Sequence, residues 1–307
     1  IICIKHDMMH LRISLLKIMI IADNLQSNKL ICHKQNFFSS NIIKKRKNML
    51  DNTQDTKHIL ITGASSGFGY YLALTYAREW DNITLYLIAR RKEKLEKLKQ
   101  EILSMQKNIC IEILAGDICD KEFITKSTKD LDIDILVNNA GLARGIESAE
   151  NTSYSDWEEM IATNIKALSH ITHCILPKMV AKGSGHIINV GSIAGSYAYR
   201  GGNVYGATKA FVKQFSRNLR ADLYDKNIRV SNIEPGLCEG SDFSIVRFHG
   251  DKERANNVYK HTKPLHAKDI AEIIFWVSTQ PPHVNINSIE IMPTTQASAG
   301  LSVHCSN

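Results

Sequence analysis

The chain is expected to fold as an α/β protein: a single doubly wound, parallel, seven-stranded sheet with helices on both faces. Three observations predict this. Beyond Asp51, short apolar runs alternate with longer amphipathic stretches, the pattern of successive βαβ units. The first apolar run leads directly into a glycine-rich turn and then into helical spacing. No internal repeat, low-complexity tract or Pro/Gly-rich linker interrupts residues 51–307, which therefore read as one domain.

The elements follow in order. Strands are expected at 58–62, 83–89, 109–114, 133–138, 185–191, 227–233 and 287–292. Each is a short apolar run such as His58-Ile59-Leu60-Ile61 or Ile133-Asp134-Ile135-Leu136-Val137. Helices are expected at 68–80, 91–105, 120–129, 154–181, 203–225 and 267–279. In the second of these, Leu95 and Leu98 stand at i, i+3 among charges, as on a surface helix. In the fifth, Phe211, Phe215 and Leu219 at i, i+4, i+8 are expected to form the buried stripe. Residues 236–266 lack a period, and their Gly, Ser and charged residues suggest a mobile flap.

Charge separates the chain into two parts. Of 38 Lys/Arg and 31 Asp/Glu, nine and two lie in residues 1–50, leaving 29 of each sign in the remainder. The folded body therefore gives no electrostatic reason to bind nucleic acid or an anionic membrane. Residues 1–50 are expected to be an extension outside the fold. Either they are upstream sequence translated in frame before Met49, or they are a basic transit segment. Their best apolar run, Ile18-Met19-Ile20-Ile21-Ala22, is far short of the roughly 20 residues of a membrane span. The seven cysteines (3, 32, 110, 119, 174, 238 and 305) show no regular spacing, so reduced thiols in a cytoplasmic or matrix-like setting are expected. His170, His173 and Cys174 share a helix face, but with no fourth ligand at suitable spacing no metal is expected.

The turn Thr62-Gly63-Ala64-Ser65-Ser66-Gly67-Phe68-Gly69 has the physics of a dinucleotide loop. Its glycines permit a tight strand-to-helix turn and let a pyrophosphate approach backbone N–H groups at a helix N-terminus. Arg90 and Arg91 end the second strand, where such a fold meets the adenosine ribose. An acid there would suit NAD, whereas paired arginines suit the 2′-phosphate of NADP, the cofactor expected here. Asp117 and Ile118 follow the third strand, and Asn138-Asn139-Ala140-Gly141 follows the fourth, at the edge that faces the crevice.

The acid–base residues come next. Tyr205 and Lys209 are one helical turn apart on one face, so the ammonium is expected to draw the phenol pKa down towards neutral. Ser192 follows the fifth strand and reaches the same crevice, where its hydroxyl can hydrogen-bond a substrate oxygen. Asn164 is a polar residue in an apolar helix pattern; it holds either a relay water or a structural hydrogen bond.

Taken in order, Thr62-Gly63-x-x-x-Gly67-x-Gly69, Asn138-Asn139-Ala140-Gly141, Ser192, Tyr205-x-x-x-Lys209 and Pro235-Gly236 resemble the short-chain dehydrogenase/reductase family over about 58–307. The resemblance implies a Rossmann-type sheet, a nicotinamide cofactor and catalysis by Asn164, Ser192, Tyr205 and Lys209. It also implies a loop from Pro235 through Gly236 and Leu237 to Phe243 that closes over the nicotinamide. The stretches 201–211 and 233–237, with Asn257–Tyr259, Val284-Asn285-Ile286-Asn287 and Ile291-Met292-Pro293, are similar to the NADP-dependent 3-hydroxy acid dehydrogenases. That group implies serine, L-allo-threonine or 3-hydroxypropionate-type substrates interconverted with 3-oxo acids, and a homotetramer. The departure lies in the flap, where Cys238-Glu239-Gly240-Ser241-Asp242-Phe243 replaces the group's usual Val-Gly-Gly-Thr-Glu-Phe. The alternatives are a 3-oxoacyl carrier-protein reductase and a non-catalytic NADP-binding sensor. A small acid substrate needs a partner for its carboxylate. Arg144, Arg200 and Arg247 are the candidates, with Arg247 in the flap favoured among them; the alternative is that backbone amides hold the carboxylate.

Overall fold

The computed structural model describes residues 56–105 and 107–298. The expected extension 1–50 and Cys3, Cys32 and Cys305 lie outside the described residues. Seven parallel strands form the main sheet: β1 (Lys57–Thr62), β2 (Ile83–Ala89), β3 (Ile109–Ala115), β4 (Ile135–Asn138), β5 (Gly185–Val190), β6 (Ile228–Pro235) and β9 (Ser288–Ile291). Their spatial order is β3-β2-β1-β4-β5-β6-β9, so the winding reverses between β1 and β4 and opens a crevice beyond their C-terminal ends. Between and after the strands run α1 (Gly67–Glu79), α2 (Lys92–Leu103), α3 (Lys121–Thr128), α4 (Tyr154–Ile161), α5 (Leu168–Lys182), α6 (Asn203–Leu223) and α9 (Ala267–Ser278).

The sheet is covered on both faces because its strand residues are apolar on both. Ile59, Ile61, Leu85, Leu87 and Val137 pack with Leu72 and Tyr76 of α1, Leu95 and Leu98 of α2 and Ile274 of α9. Leu60, Ile88, Leu136 and Ile187 point the opposite way, onto Ile124 of α3, Ile171 and Ile175 of α5 and Leu219 of α6. Alternation along each strand thus feeds two separate cores. Each fully buried Leu or Ile contributes about 1.5–3 kcal/mol of transfer free energy.

Three expectations need correction. Residues 154–181 are not one α-helix: Ala162–Ala167 form a π-helical turn between α4 and α5, centred on Asn164. The stretch 236–266 is not irregular throughout. It contains β7 (Cys238–Glu239), α7 (Phe243–Arg247), α8 (Lys252–Asn257) and β8 (Leu265–His266), with β7 and β8 paired in parallel. On α6 the buried stripe is Tyr205, Thr208, Lys209, Val212, Ser216, Leu219 and Leu223. Phe211 and Phe215 are only half-buried and stack on each other with centroids 5.6 Å apart, because the polar positions facing the site take the inward face. No helix among the described residues is long and apolar enough to cross a membrane.

Candidate active site

The crevice at the β1/β4 switch holds a cleft of about 830 Å³. It is lined by the β1–α1 turn, the ends of β2 to β6, the start of α6 and the flap. The turn after β1 is set by backbone conformation. Gly63 and Gly67 have φ of +69° and +59°, in the left-handed region that favours glycine. A Cβ on Gly63 would lie 2.9 Å from Asn139 Nδ2 and 3.0 Å from Ala140 Cα. The same closeness lets Asn139 hold the turn: its Nδ2 donates to the Thr62 carbonyl (2.8 Å), and its backbone N–H donates to Thr62 Oγ1 (3.0 Å).

Of the expected cofactor residues, Gly63, Ser65, Ser66, Gly67, Phe68, Arg90, Arg91, Asp117, Ile118, Asn139, Tyr205, Lys209, Pro235, Gly236 and Leu237 all line the cleft. Ala64 and Gly69 do not. Ala64 is fully buried and its N–H donates to the Ile88 carbonyl (3.2 Å), so it faces the sheet. Gly69 is a packing glycine, where a Cβ would meet the Gly63 carbonyl oxygen at 2.7 Å.

Arg91 crosses the mouth of the turn. Its Nη2 donates to Ser65 Oγ (3.0 Å) and Ser66 Oγ (2.9 Å), and its Nη1 meets Asp242 Oδ2 of the flap at 2.5 Å. Lys94, one turn into α2, reaches the same carboxylate oxygen at 3.1 Å. Burial alone would raise the Asp242 carboxyl pKa, but Arg91 and Lys94 hold it below the usual carboxylate range. Neither Lys94 nor Asp242 was expected from the sequence. The i, i+3 spacing of Arg91 and Lys94 was a visible signal for the first; nothing local marked the second, 151 residues away.

At the opposite end, Ser192 caps the turn Ile193–Gly195, accepting from the Ala194 N–H (3.1 Å) and donating to the Pro235 carbonyl (3.4 Å). Glycines press this turn against α6. A Cβ on Gly195 would lie 2.7 Å from the Lys209 carbonyl carbon and oxygen, and one on Gly206 would lie 3.0 Å from the Ala194 carbonyl oxygen. Ser192 is thereby brought to Tyr205, which is buried. Lys209 is also buried and donates from Nζ to the Val190 carbonyl (2.8 Å).

The expected fall of the tyrosine pKa is corrected by the structure. Burial pushes the Tyr205 phenol up to about 12, although the neighbouring Ser192 hydroxyl acts the other way. The Lys209 ammonium stands 5.9 Å from the ring centroid, bound to a carbonyl, and burial lowers its own pKa to about 8. Spacing on the helix placed the two residues on one face, but desolvation outweighs the charge. Asn164 is a satisfied amide rather than a free one. Its Oδ1 accepts from the Leu142 N–H (2.9 Å), and its Nδ2 donates to the Leu142 carbonyl (2.8 Å) and Thr208 Oγ1 (3.0 Å). It joins the β4 loop to α6 from the π turn, and its side chain is spent in doing so.

The three arginines separate clearly. Arg144 forms a two-pronged pair with Glu159 (2.6 and 2.9 Å) and donates to the Val246 carbonyl, so its charge is used. Arg200 is exposed and does not line the cleft. Arg247 lies in the cleft, donating from Nε to the Gly145 carbonyl (2.9 Å) and from Nη2 to Tyr199 Oη (3.0 Å). Its guanidinium carbon is 5.8 Å from the centroids of both Tyr199 and Tyr205, and among the described residues no carboxylate pairs with it.

One supporting group carries no signal in the sequence. Glu234, buried at the end of β6, accepts from Lys213 Nζ (2.7 Å), Ser196 Oγ (3.1 Å) and Asn232 Nδ2 (3.0 Å). It ties β6 and α6 to the turn that carries Ser192. A glutamate before a Pro-Gly gave no sign of this, because all but one of its partners are distant in sequence.

Comparison with known proteins agrees with this geometry. The family model for short chain dehydrogenase matches residues 57–250. The chain is 48% identical over 246 residues to the NADP-dependent 3-hydroxy acid dehydrogenase YdfG of Salmonella typhi, covering 80% of this chain and 98% of that one. It is 46% identical over 247 residues to the serine 3-dehydrogenase of Agrobacterium fabrum, covering 80% and 97%. Among solved structures, the closed form of serine dehydrogenase complexed with NADP⁺ superposes with a TM-score of 0.76 at 48% identity, over 81% of this chain and all of that one. With its switch-point cleft, glycine turn and Ser192–Tyr205–Lys209 cluster, this chain belongs to the short-chain dehydrogenase family.

Proposed function

We propose that this protein is an NADP-dependent dehydrogenase that interconverts small 3-hydroxy acids, of the serine, L-allo-threonine and 3-hydroxypropionate type, with their 3-oxo acids. Its action on CH–OH groups follows from its family and from dehydrogenase relatives of nearly full length. The observation that carries the finer reading is a single cleft with a cationic site at each end: Arg91 beside the glycine turn, and Arg247 over the Tyr205 ring.

The residues present fit the cofactor. Gly63 and Gly67 let the β1–α1 turn adopt left-handed backbone beside the cleft, and Arg91, fixed by Ser65 and Ser66 and flanked by Arg90, offers charge-assisted donors for a 2′-phosphate. NADP, when bound, supplies the hydride acceptor for oxidation and, as NADPH, the donor for reduction. The protein supplies the rest. Ser192 Oγ positions the substrate oxygen. Tyr205 Oη gives the proton to a carbonyl oxygen or takes it from a hydroxyl. With a pKa near 12 the phenol is protonated at neutral pH, which suits it to donate during reduction. For oxidation, the nearby cations Lys209 and Arg247 lower the cost of the phenolate. Asn164 acts at one remove, fixing Leu142 and Thr208 around the site. Arg247 receives the substrate carboxylate, since an unpaired buried carboxylate would cost several kcal/mol. The homotetramer, which rests on family resemblance, and the cytoplasmic location, which rests on the irregularly spaced cysteines, belong to the same proposal.

Steady-state assays test the reading. Oxidation of L-serine, L-allo-threonine and 3-hydroxyisobutyrate with NADP, compared with NAD, should show turnover of the acids and a preference for NADP. Reduction of acetoacetyl thioesters without turnover of any free acid would transfer the assignment to carrier-protein reduction.

A further inference from the structure

Asp242 is the one carboxylate that touches Arg91 among the described residues, and it comes from the flap. The contact has three parts. The guanidinium is anchored from below by Ser65 and Ser66, Lys94 approaches the same oxygen from α2, and the flap backbone is seated on the glycine turn. A Cβ on Gly67 would fall 2.6 Å from Ser241 Cβ, so the residue before Asp242 rests directly on the turn. The carboxylate thus occupies, with an anion of the protein's own, the donor set that the proposed function gives to a 2′-phosphate.

We propose that Asp242 is an internal competitor for the NADP 2′-phosphate. The phosphate displaces the carboxylate from Arg91 and Lys94, and in doing so it unfastens the flap from the β1–α1 turn. Asp242 therefore sets how strongly the protein discriminates NADP from NAD, and it couples occupancy of the adenosine end to the position of the segment that carries Arg247. Two like charges on one guanidinium repel, and the phosphate carries the larger charge, so exchange rather than sharing is favoured. The pair is more than a third exposed on the arginine side, which keeps the competition weak enough to reverse. This inference rests on the reading that Arg91 holds the 2′-phosphate.

Calorimetric titration of the full chain with 2′,5′-ADP and with 5′-AMP tests both statements separately. The two nucleotides differ only in the phosphate concerned, and neither needs turnover. Asp242→Asn, which keeps the shape and removes the charge, should bind 2′,5′-ADP roughly two- to fivefold more tightly than wild type, with 5′-AMP unchanged. The gain should shrink at high salt. In an Arg91→Ala, Lys94→Ala background the same substitution should change nothing. Hydrogen exchange at residues 239–245 should quicken in wild type on adding 2′,5′-ADP but not 5′-AMP, and should already be fast in Asp242→Asn. Weaker or unchanged 2′,5′-ADP binding in Asp242→Asn, with its circular dichroism intact, overturns the competitor role and makes Asp242 a support for Arg91. If Arg91→Ala weakens both nucleotides equally or neither, the phosphate reading itself falls and the inference with it.

Discussion

The two ends of the cleft are built from different materials. At the β1–β2 end, backbone does the shaping: Gly63 and Gly67 adopt left-handed φ values, and Asn139 clasps main-chain groups of the turn. At the flap end, long side chains reach across the sequence. Arg144 and Arg247 each bond to a carbonyl 102 residues away, and Arg144 also pairs with Glu159. A backbone cradle accepts the part of a ligand that is the same in every reaction, and its form tolerates little change. A side-chain wall can be redrawn one residue at a time, which is how one scaffold serves many substrates. The flap, where this chain departs most from the group it resembles, belongs to the second kind.

Substitutions at the two ends should therefore fail in different ways. The largest effect is expected for Tyr205→Phe. It removes only the transferable proton, so turnover should fall by about 10²–10⁴-fold. NADPH binding followed by fluorescence should stay close to wild type, since the cradle is untouched. Arg247→Ala should raise KM for a 3-hydroxy acid by roughly tenfold or more, the scale of a lost charge-assisted hydrogen bond, and leave KM for its methyl ester unchanged. Equal effects on acid and ester would make Arg247 a flap brace instead.

Gly195→Ala sharpens the comparison, because it is a backbone contact at the side-chain end. The added methyl would meet the Lys209 main chain at 2.7 Å. A stability loss of about 1–3 kcal/mol in urea unfolding is expected, with kcat reduced through displacement of Ser192. Unchanged stability and kcat would mean that the turn after Ser192 can yield without cost.

The smallest effect is a pH dependence. Burial lowers Lys209 from 10.5 to about 8, so between those values the unfolded chain holds a proton that the folded one has released. Stability then rises with pH across that window, by at most about 1.4 kcal/mol per pH unit from this group. Tyr205, raised from 10.0 to about 12, acts in the opposite sense above pH 10. Subtracting a Lys209→Met titration from that of wild type isolates the lysine. A difference that stays flat from pH 8 to 10 would show that its ammonium is not desolvated.

Much of this was legible in the sequence where the cause is local. The seven strands are short apolar runs, and the spacing of Gly63, Gly67, Tyr205 and Lys209 is dictated by a turn and a helix. Legibility ended where burial or distance decides. Ala64 and Gly69 sit among cleft residues in sequence but face the protein interior, since a tight turn points its members in several directions. The direction of the Tyr205 pKa depends on desolvation, which a spacing of four residues does not report. Phe211 and Phe215 fit a helical period yet give way to Thr208, Lys209 and Val212 on the buried face. The partners of Glu234 and Asp242 come together only in the fold.

The measurement that bears most directly on the account is the fate of the hydrogen on the reacting carbon. L-Serine carrying deuterium at C3 should be oxidised with NADP by the purified protein, and deuterium should be recovered in the NADPH formed, with Tyr205→Phe producing almost none. Oxidation without label in NADPH, or label transfer that survives undiminished in Tyr205→Phe, would contradict hydride transfer from a 3-hydroxy acid at this site.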